Sequence, residues 1–273
     1  MAFAGRKKTR GAKMRYKIGF IDSGVGGISV MTRAKKEFEN ADFIYYADTK
    51  NVPYGTKTHE EIKRLSDSAV DFVTSKGADV IVIACNTITS VAIEYLREKY
   101  LIPIIGMEPA VKPAVTEHPS ERILVCATPV TIAGEKLHNL IDKNCRGTQP
   151  ILVPTPRLVE FAENGVFDTG TVCGYLSSVV DMSVNYSAVV LGCTHFGYFT
   201  DSFKKLFPRA DIADGSLGTV KRLHSVLDDR GYNVSQYDGE GTTEYYSSGE
   251  CVTDEKTLDF YKTLADRTLG FIK

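Results

Sequence analysis

Cys85 and Cys193 occupy matching places in the chain. Each closes an apolar run rich in β-branched residues, VIVIAC over 80–85 and AVVLGC over 188–193, and each is followed within two positions by a threonine, in Cys85-Asn86-Thr87 and Cys193-Thr194-His195. A thiol at the end of a strand, leading into a helix, meets the positive end of that helix dipole, which favours thiolate. Two such thiols facing one carbon from opposite sides can invert a stereocentre, one removing a proton and the other returning it to the far face. Either cysteine alone reads equally well as a buried structural residue. Two in matching contexts favour the chemistry. A thiol is a far stronger acid than a carbon-bound α-proton, so such a site must stabilise a carbanion-like transition state electrostatically and exclude water.

Other residues group around this possibility. The stretch IDSGVGGIS (21–29) is a strand-to-helix turn whose glycines expose backbone N–H groups suited to a carboxylate or phosphate. It departs from the dinucleotide fingerprint, because Asp22 and Ser23 stand at its start and an acid there repels a pyrophosphate. Asp22 suits a proton relay, or serves simply as a cap. NVPYGTKT (51–58) is a stiff loop in which Pro53 fixes the backbone before Tyr54 and Gly55 permits a turn. ATPVT (127–131) puts Thr128 and Thr131 where Asp22-Ser23 stand in the first half. His195, two residues after Cys193, is placed to orient or protonate a group beside that thiol. Glu163 ends a short helix, where a carboxylate is ordinarily solvated. The spacings for zinc, CxxC and HxxxH, are missing, as are a phosphate-binding P-loop and HExxH, so no metal or cofactor is expected.

The elements that must position these residues alternate. Apolar strands at 17–22, 43–48, 79–85 and 102–107 are separated by stretches of helical spacing at 58–76 and 87–99, after a turn and helix beginning at Ser23. The pattern restarts at 122–127, followed by strands at 150–154, 188–193 and 210–214. Helices are expected at 158–165, 170–185 and 216–231, and the tail reads as a strand pair and a short helix. Nearly continuous apolar strands in βα alternation predict parallel sheets covered on both faces. Asp22 precedes Cys85 by 63 positions and Thr128 precedes Cys193 by 65, so the halves read as weak copies of one unit. The expected fold is α/β: two pseudo-symmetric, flavodoxin-like parallel-sheet domains with the site in the cleft between them. Residues 15–108 with 213–273 form the first, 109–212 the second, and 1–14, basic and without hydrophobic period, a disordered extension.

The near balance of charge, −1 overall, makes no case for a nucleic-acid or membrane partner, and no apolar run approaches the roughly 20 residues that span a bilayer. Six cysteines without paired spacing or a secretory leader predict free thiols in a reducing cytoplasm.

IDSGVGG, NVPYG, ACNT, ATPVT and GCTH, in this order, resemble the cofactor-independent glutamate racemases of the aspartate/glutamate racemase superfamily. The resemblance runs from about Lys17 to Gly231. It implies Cys85 as the base for D-glutamate, assisted by Asp22, and Cys193 as the base for L-glutamate, assisted by His195 and Glu163. It implies substrate contacts from Asp22, Ser23, Pro53, Tyr54, Gly55, Cys85, Asn86, Thr87, Thr128, Thr131, Cys193, Thr194 and His195. It implies a homodimer that supplies D-glutamate to peptidoglycan. The chain departs from the family at TPRLVEFAENG, where Cys-Pro is usual and where Glu160 lies near Glu163, and at GCTHFGYF, where Tyr-Pro usually follows the histidine. Three other readings stand beside this one: an aspartate or related acidic amino-acid racemase, a Cys193–His195 hydrolase or acyl transferase that leaves Cys85 without a role, and a silent glutamate-binding protein.

Overall fold

The computed structural model describes residues 15–232 and 239–270, so the expectation for residues 1–14 and part of that for the tail lie outside the described residues. In chain order the first sheet's elements are β1 (Lys17–Asp22), α1 (Ile28–Glu37), β2 (Asp42–Ala47), α2 (His59–Ser75), β3 (Val80–Ile83), α3 (Asn86–Lys99) and β4 (Ile104–Gly106). The second sheet's follow: α4 (Val111–Glu117), β5 (Ile123–Ala127), α5 (Pro129–Ala133), α6 (Glu135–Asn144), β6 (Ile151–Pro154), α7 (Arg157–Glu163), α8 (Thr169–Val179), β7 (Ala188–Leu191), α9 (Thr200–Leu206) and β8 (Asp211–Asp214). The chain ends with α10 (Ser216–Asp228), β9 (Thr243–Ser247), β10 (Glu250–Cys251) and α11 (Glu255–Leu269).

The strands form two sheets, ordered β10-β9-β2-β1-β3-β4 and β6-β5-β7-β8. All pairings are parallel except β9 with β10. The runs 2-1-3-4 and 6-5-7-8 are the same doubly wound order, so β3 and β7, the strands before the two cysteines, are equivalent. β8 pairs through Asp214, so the chain leaves the second sheet two positions later than the expected start at 213. It returns through β9, which adds beside β2.

Strand period decides what each face covers. On β1, Ile18 and Phe20 join a large apolar cluster that also takes in Leu124 and Cys126 of β5 and Leu191 of β7, so one core runs through both sheets. Ile21, Ile81 and Ile83 point the other way, under α2 and α3. Val125 and Val190 face α4 and α6. α2 begins with a reciprocal cap, Thr58 accepting from the Glu61 N–H while Glu61 accepts from Thr58.

The differences from the sequence expectations are local. α4 was not anticipated, because Pro113 breaks the apparent pattern; the proline is tolerated in the first turn, where its missing N–H needs no partner. The expected helix over 170–185 stops at Val179, and the closing helix is 15 residues long rather than short. After Cys193 the chain enters a 3-10 segment, Thr194–Phe199, before α9. The expectation of a full helix dipole behind that thiol therefore fails at Cys193 and holds only at Cys85, which caps α3.

Candidate active site

The ends of β1, β3, β5 and β7 converge, and nearly all the site residues expected from sequence meet there in a closed, buried arrangement. Asp22, Ser23, Tyr54, Cys85, Asn86, Thr87, Thr128, Thr131, Cys193, Thr194 and His195 are each less than one-tenth exposed. Pro53 is the exception: exposed, it caps the short 3-10 turn at Tyr54–Thr56. Gly55 lies so close to Thr128 that a Cβ there would stand 2.7 Å from the threonine's own.

On the first sheet's side, Asp22 ends β1 with Oδ1 accepting from the Gly24 N–H at 3.0 Å and Oδ2 from the Thr194 hydroxyl at 3.1 Å. Burial pushes its carboxyl up to about 6, the charge of His195 pulling only partly against this. The Cys85 sulfur lies 3.5 Å from the Ser23 hydroxyl. Burial, then the charge of Asp22, push this thiol up to about 12, and the hydrogen bond with Ser23 opposes them. This corrects the expectation of a dipole-lowered thiol: a helix end is worth about 1 kcal/mol, less than the cost of burying a thiolate beside a carboxylate.

On the second sheet's side, the Cys193 sulfur lies 3.6 Å from His195 Nδ1, and His195 Nε2 donates to Glu163 Oε1 at 2.6 Å. Burial alone would lower the imidazole. The Cys193 sulfur and the Glu163 carboxylate outweigh it and hold His195 well above the usual histidine value. Glu163 is not solvated: its side chain is 15% exposed and its Oε1 also accepts from the Val25 N–H at 2.9 Å. Glu160, the competing carboxylate, is exposed. Asp22 links the two sides: its charge acts on Cys85, and its carboxylate accepts from the Thr194 hydroxyl next to Cys193.

A row of hydroxyls joins the two sides. Thr87 and Thr128 Oγ1 are 2.9 Å apart across the two sheets, and Thr128 donates to Thr131 at 3.0 Å while capping α5. Asn86 is buried with neither side-chain amide atom hydrogen-bonded among the described residues. A buried amide without partners is costly and is placed for a polar ligand.

The sequence reading missed Asp48. Its carboxylate accepts from the Tyr54 hydroxyl at 2.6 Å, from Asn51 at 3.0 Å and from Ser248 at 2.8 Å, tying the 51–55 loop to the β9–β10 turn. The available signal was an acid at the end of a strand, the same placement that marks Asp22. Among the described residues, Glu117, His118 and Asp211 bring ligand atoms within 4.8 Å of one another, and none of them belongs to this site.

Residues 18–215 match the family model for Asp/Glu/Hydantoin racemase. The chain is 48% identical to glutamate racemase of Lachnospira eligens over 258 residues, covering 92% of this chain and 97% of that one. It is 43% identical to glutamate racemase 2 of Bacillus subtilis, covering 91% and 94%. Among solved structures it resembles glutamate racemase from Campylobacter jejuni, with a TM-score of 0.73 at 28% identity over 94% and 99% of the two chains. It also resembles the Francisella tularensis enzyme in complex with D-glutamate, with a TM-score of 0.77 at 25% identity over 92% and 94%.

Proposed function

The chain belongs to the Asp/Glu/Hydantoin racemase family, and from that premise we propose that it interconverts L- and D-glutamate with Cys85 and Cys193 as its two bases. The observation that carries this reading is the pair of thiols, delivered by equivalent strands of two sheets into one buried site, each with its own polar partner.

Starting from L-glutamate, the Cys193 thiolate, beside a cationic His195, takes the α-proton and becomes a thiol. The Cys85 thiol gives its proton to the opposite face of the planar intermediate and becomes a thiolate. The product is D-glutamate, and the reverse reaction exchanges the roles. The high thiol value of Cys85 supports its assignment as the acid in this direction. Asp22, beside Cys85, offers a negative charge for the substrate ammonium. Asn86, Thr87, Thr128 and Thr131, with the α3 N-terminus, offer donors for the carboxylates. Dry surroundings strengthen each of these interactions in the transition state. Because the site residues are buried, substrate entry requires the Thr87–Thr128 and Asp22–Thr194 contacts between the two sides to open.

The two units are residues 15–108 with the chain after Asp214, and residues 109–214, a division supported by the sheet memberships. We propose further that the protein acts in the cytoplasm as a homodimer and supplies D-glutamate to peptidoglycan, as the resemblance of its motifs to glutamate racemases implies. Among the described residues no helix is long and apolar enough to cross a membrane.

The test is incubation of the pure protein with L-glutamate in D₂O without pyridoxal phosphate. Inversion with α-deuterium uptake is expected, and Cys85→Ser and Cys193→Ser should each abolish inversion. Near-normal racemisation by Cys85→Ser overturns the mechanism. Turnover of aspartate in place of glutamate overturns the substrate. Glutamate binding without exchange points to a silent receptor. Sedimentation velocity tests the dimer.

A further inference from the structure

We propose that Tyr45 is a positioning residue for proton transfer at Cys193, acting through the Gly24–Val25 peptide on Glu163; the proposal rests on the two-cysteine reading above. The Tyr45 hydroxyl donates to the Gly24 carbonyl at 2.7 Å. The N–H at the other end of that same peptide, on Val25, donates to Glu163 Oε1 at 2.9 Å. A peptide unit is planar, so its carbonyl and its N–H turn together. The peptide cannot swing its N–H away from Glu163 without also breaking the bond from Tyr45. Glu163 Oε1 in turn accepts from His195 Nε2, and His195 Nδ1 faces the Cys193 sulfur. One continuous line of hydrogen bonds therefore runs from a phenol on β2, in the first sheet, to the thiol that follows β7 in the second.

Three further observations support a dedicated role for the hydroxyl. Tyr45 is fully buried, with its ring against Tyr245 and Tyr261 at 6.2 and 6.1 Å, so β9 and α11 hold its position. Phenylalanine would satisfy that packing, and among the described residues the hydroxyl hydrogen-bonds only to the turn, at the Gly24 carbonyl. The close approach of the peptide to the carboxylate also depends on Gly24, because a Cβ there would lie 1.8 Å from Glu163 Oε1. Hydrogen bonds in a buried chain polarise one another, so the Tyr45 bond strengthens the Val25 donor as well as aiming it. None of the sequence signals reached Tyr45, which reads as one more aromatic residue in a strand.

The experiment is a double-mutant cycle on the full chain with L- and D-glutamate, followed by circular dichroism at a temperature where melting curves show every variant folded. Tyr45→Phe should lower kcat about tenfold, the effect of one buried hydrogen bond, with KM within about twofold. Glu163→Gln should lower it further, and Tyr45→Phe should then cost nothing more in the Glu163→Gln background. The primary isotope effect with α-deuterated L-glutamate should rise in Tyr45→Phe, while that with α-deuterated D-glutamate should not. Gly24→Ala breaks the same line from the peptide side and should likewise be absorbed in the Glu163→Gln background. Wild-type turnover in Tyr45→Phe, losses that multiply in the cycle, or isotope effects that rise equally for both enantiomers overturn the proposal. If the wild type itself does not invert glutamate, or still does so as Cys193→Ala, the two-cysteine reading has failed instead.

Discussion

Cys85 and Cys193 stand at equivalent points of two sheets with the same strand order, yet their surroundings are opposite in character. Cys85 sits beside an acid and a hydroxyl, and its thiol is held protonated. Cys193 sits beside a histidine that Glu163 and the sulfur keep cationic. The packing differs as well. Cys85 continues the face of β3 that carries Ile81 and Ile83, under α2 and α3, whereas Cys193 continues the face of β7 that carries Val189 and Leu191, in the core shared by both sheets. A repeated scaffold thus delivers two chemically similar groups into non-equivalent surroundings, a carboxylate and a hydroxyl at one and an imidazole paired with a carboxylate at the other. A two-base inversion needs one thiolate and one thiol before each turnover, since two thiolates have no proton to give and two thiols have no base to take one.

The largest effect is expected when either sulfur is removed. Cys85→Ala and Cys193→Ala should each lower racemisation about 10³-fold or more, measured by circular dichroism, because neither thiol serves both faces. Removing the cation tests the asymmetry itself. His195→Asn should lower kcat about 10²-fold, and the isotope effect should rise with α-deuterated L-glutamate alone. Its effect on folding has a definite sign. The folded value of His195 lies above its ordinary 6.5, so the stability it draws from Glu163 and Cys193 is fully present below 6.5 and is lost as pH rises through the folded value. The Tm difference between wild type and His195→Asn should therefore shrink at alkaline pH.

Asp22 sharpens the comparison from the other side. Its carboxyl is raised from 3.8 to about 6, so the folded protein binds more protons than the unfolded chain between those values, and stability falls as pH rises through that window. Asp22→Asn should raise stability at pH 7 by about 3 kcal/mol, with the gain vanishing near pH 4, while turnover drops. A calorimetric pH series checks this. The smallest effect is expected at Asp48. Asp48→Asn weakens a charged acceptor for Tyr54 and should raise KM about fivefold with kcat nearly unchanged, by steady-state kinetics.

Much of this was legible in the chain. The β-branched runs before Cys85 and Cys193, the glycine turn after Asp22 and the restart at residue 122 together specify two βα units with a thiol at each third strand, because strand period and turn chemistry are local properties. Tyr45 and Asp48 were not legible, because their importance lies in partners distant in sequence: Gly24 for one, Ser248 for the other. Glu163 looked like a surface carboxylate because nothing within its own short helix shows that Val25 and His195 close over it. A helix dipole is a local field, whereas the burial that raises the Cys85 thiol depends on everything packed around the sulfur. The order of residues thus determined which groups reach the site and from which strand ends. Only the tertiary structure decided their protonation, because desolvation and charge pairing are set by neighbours that the fold, and not the local sequence, brings within a few ångströms.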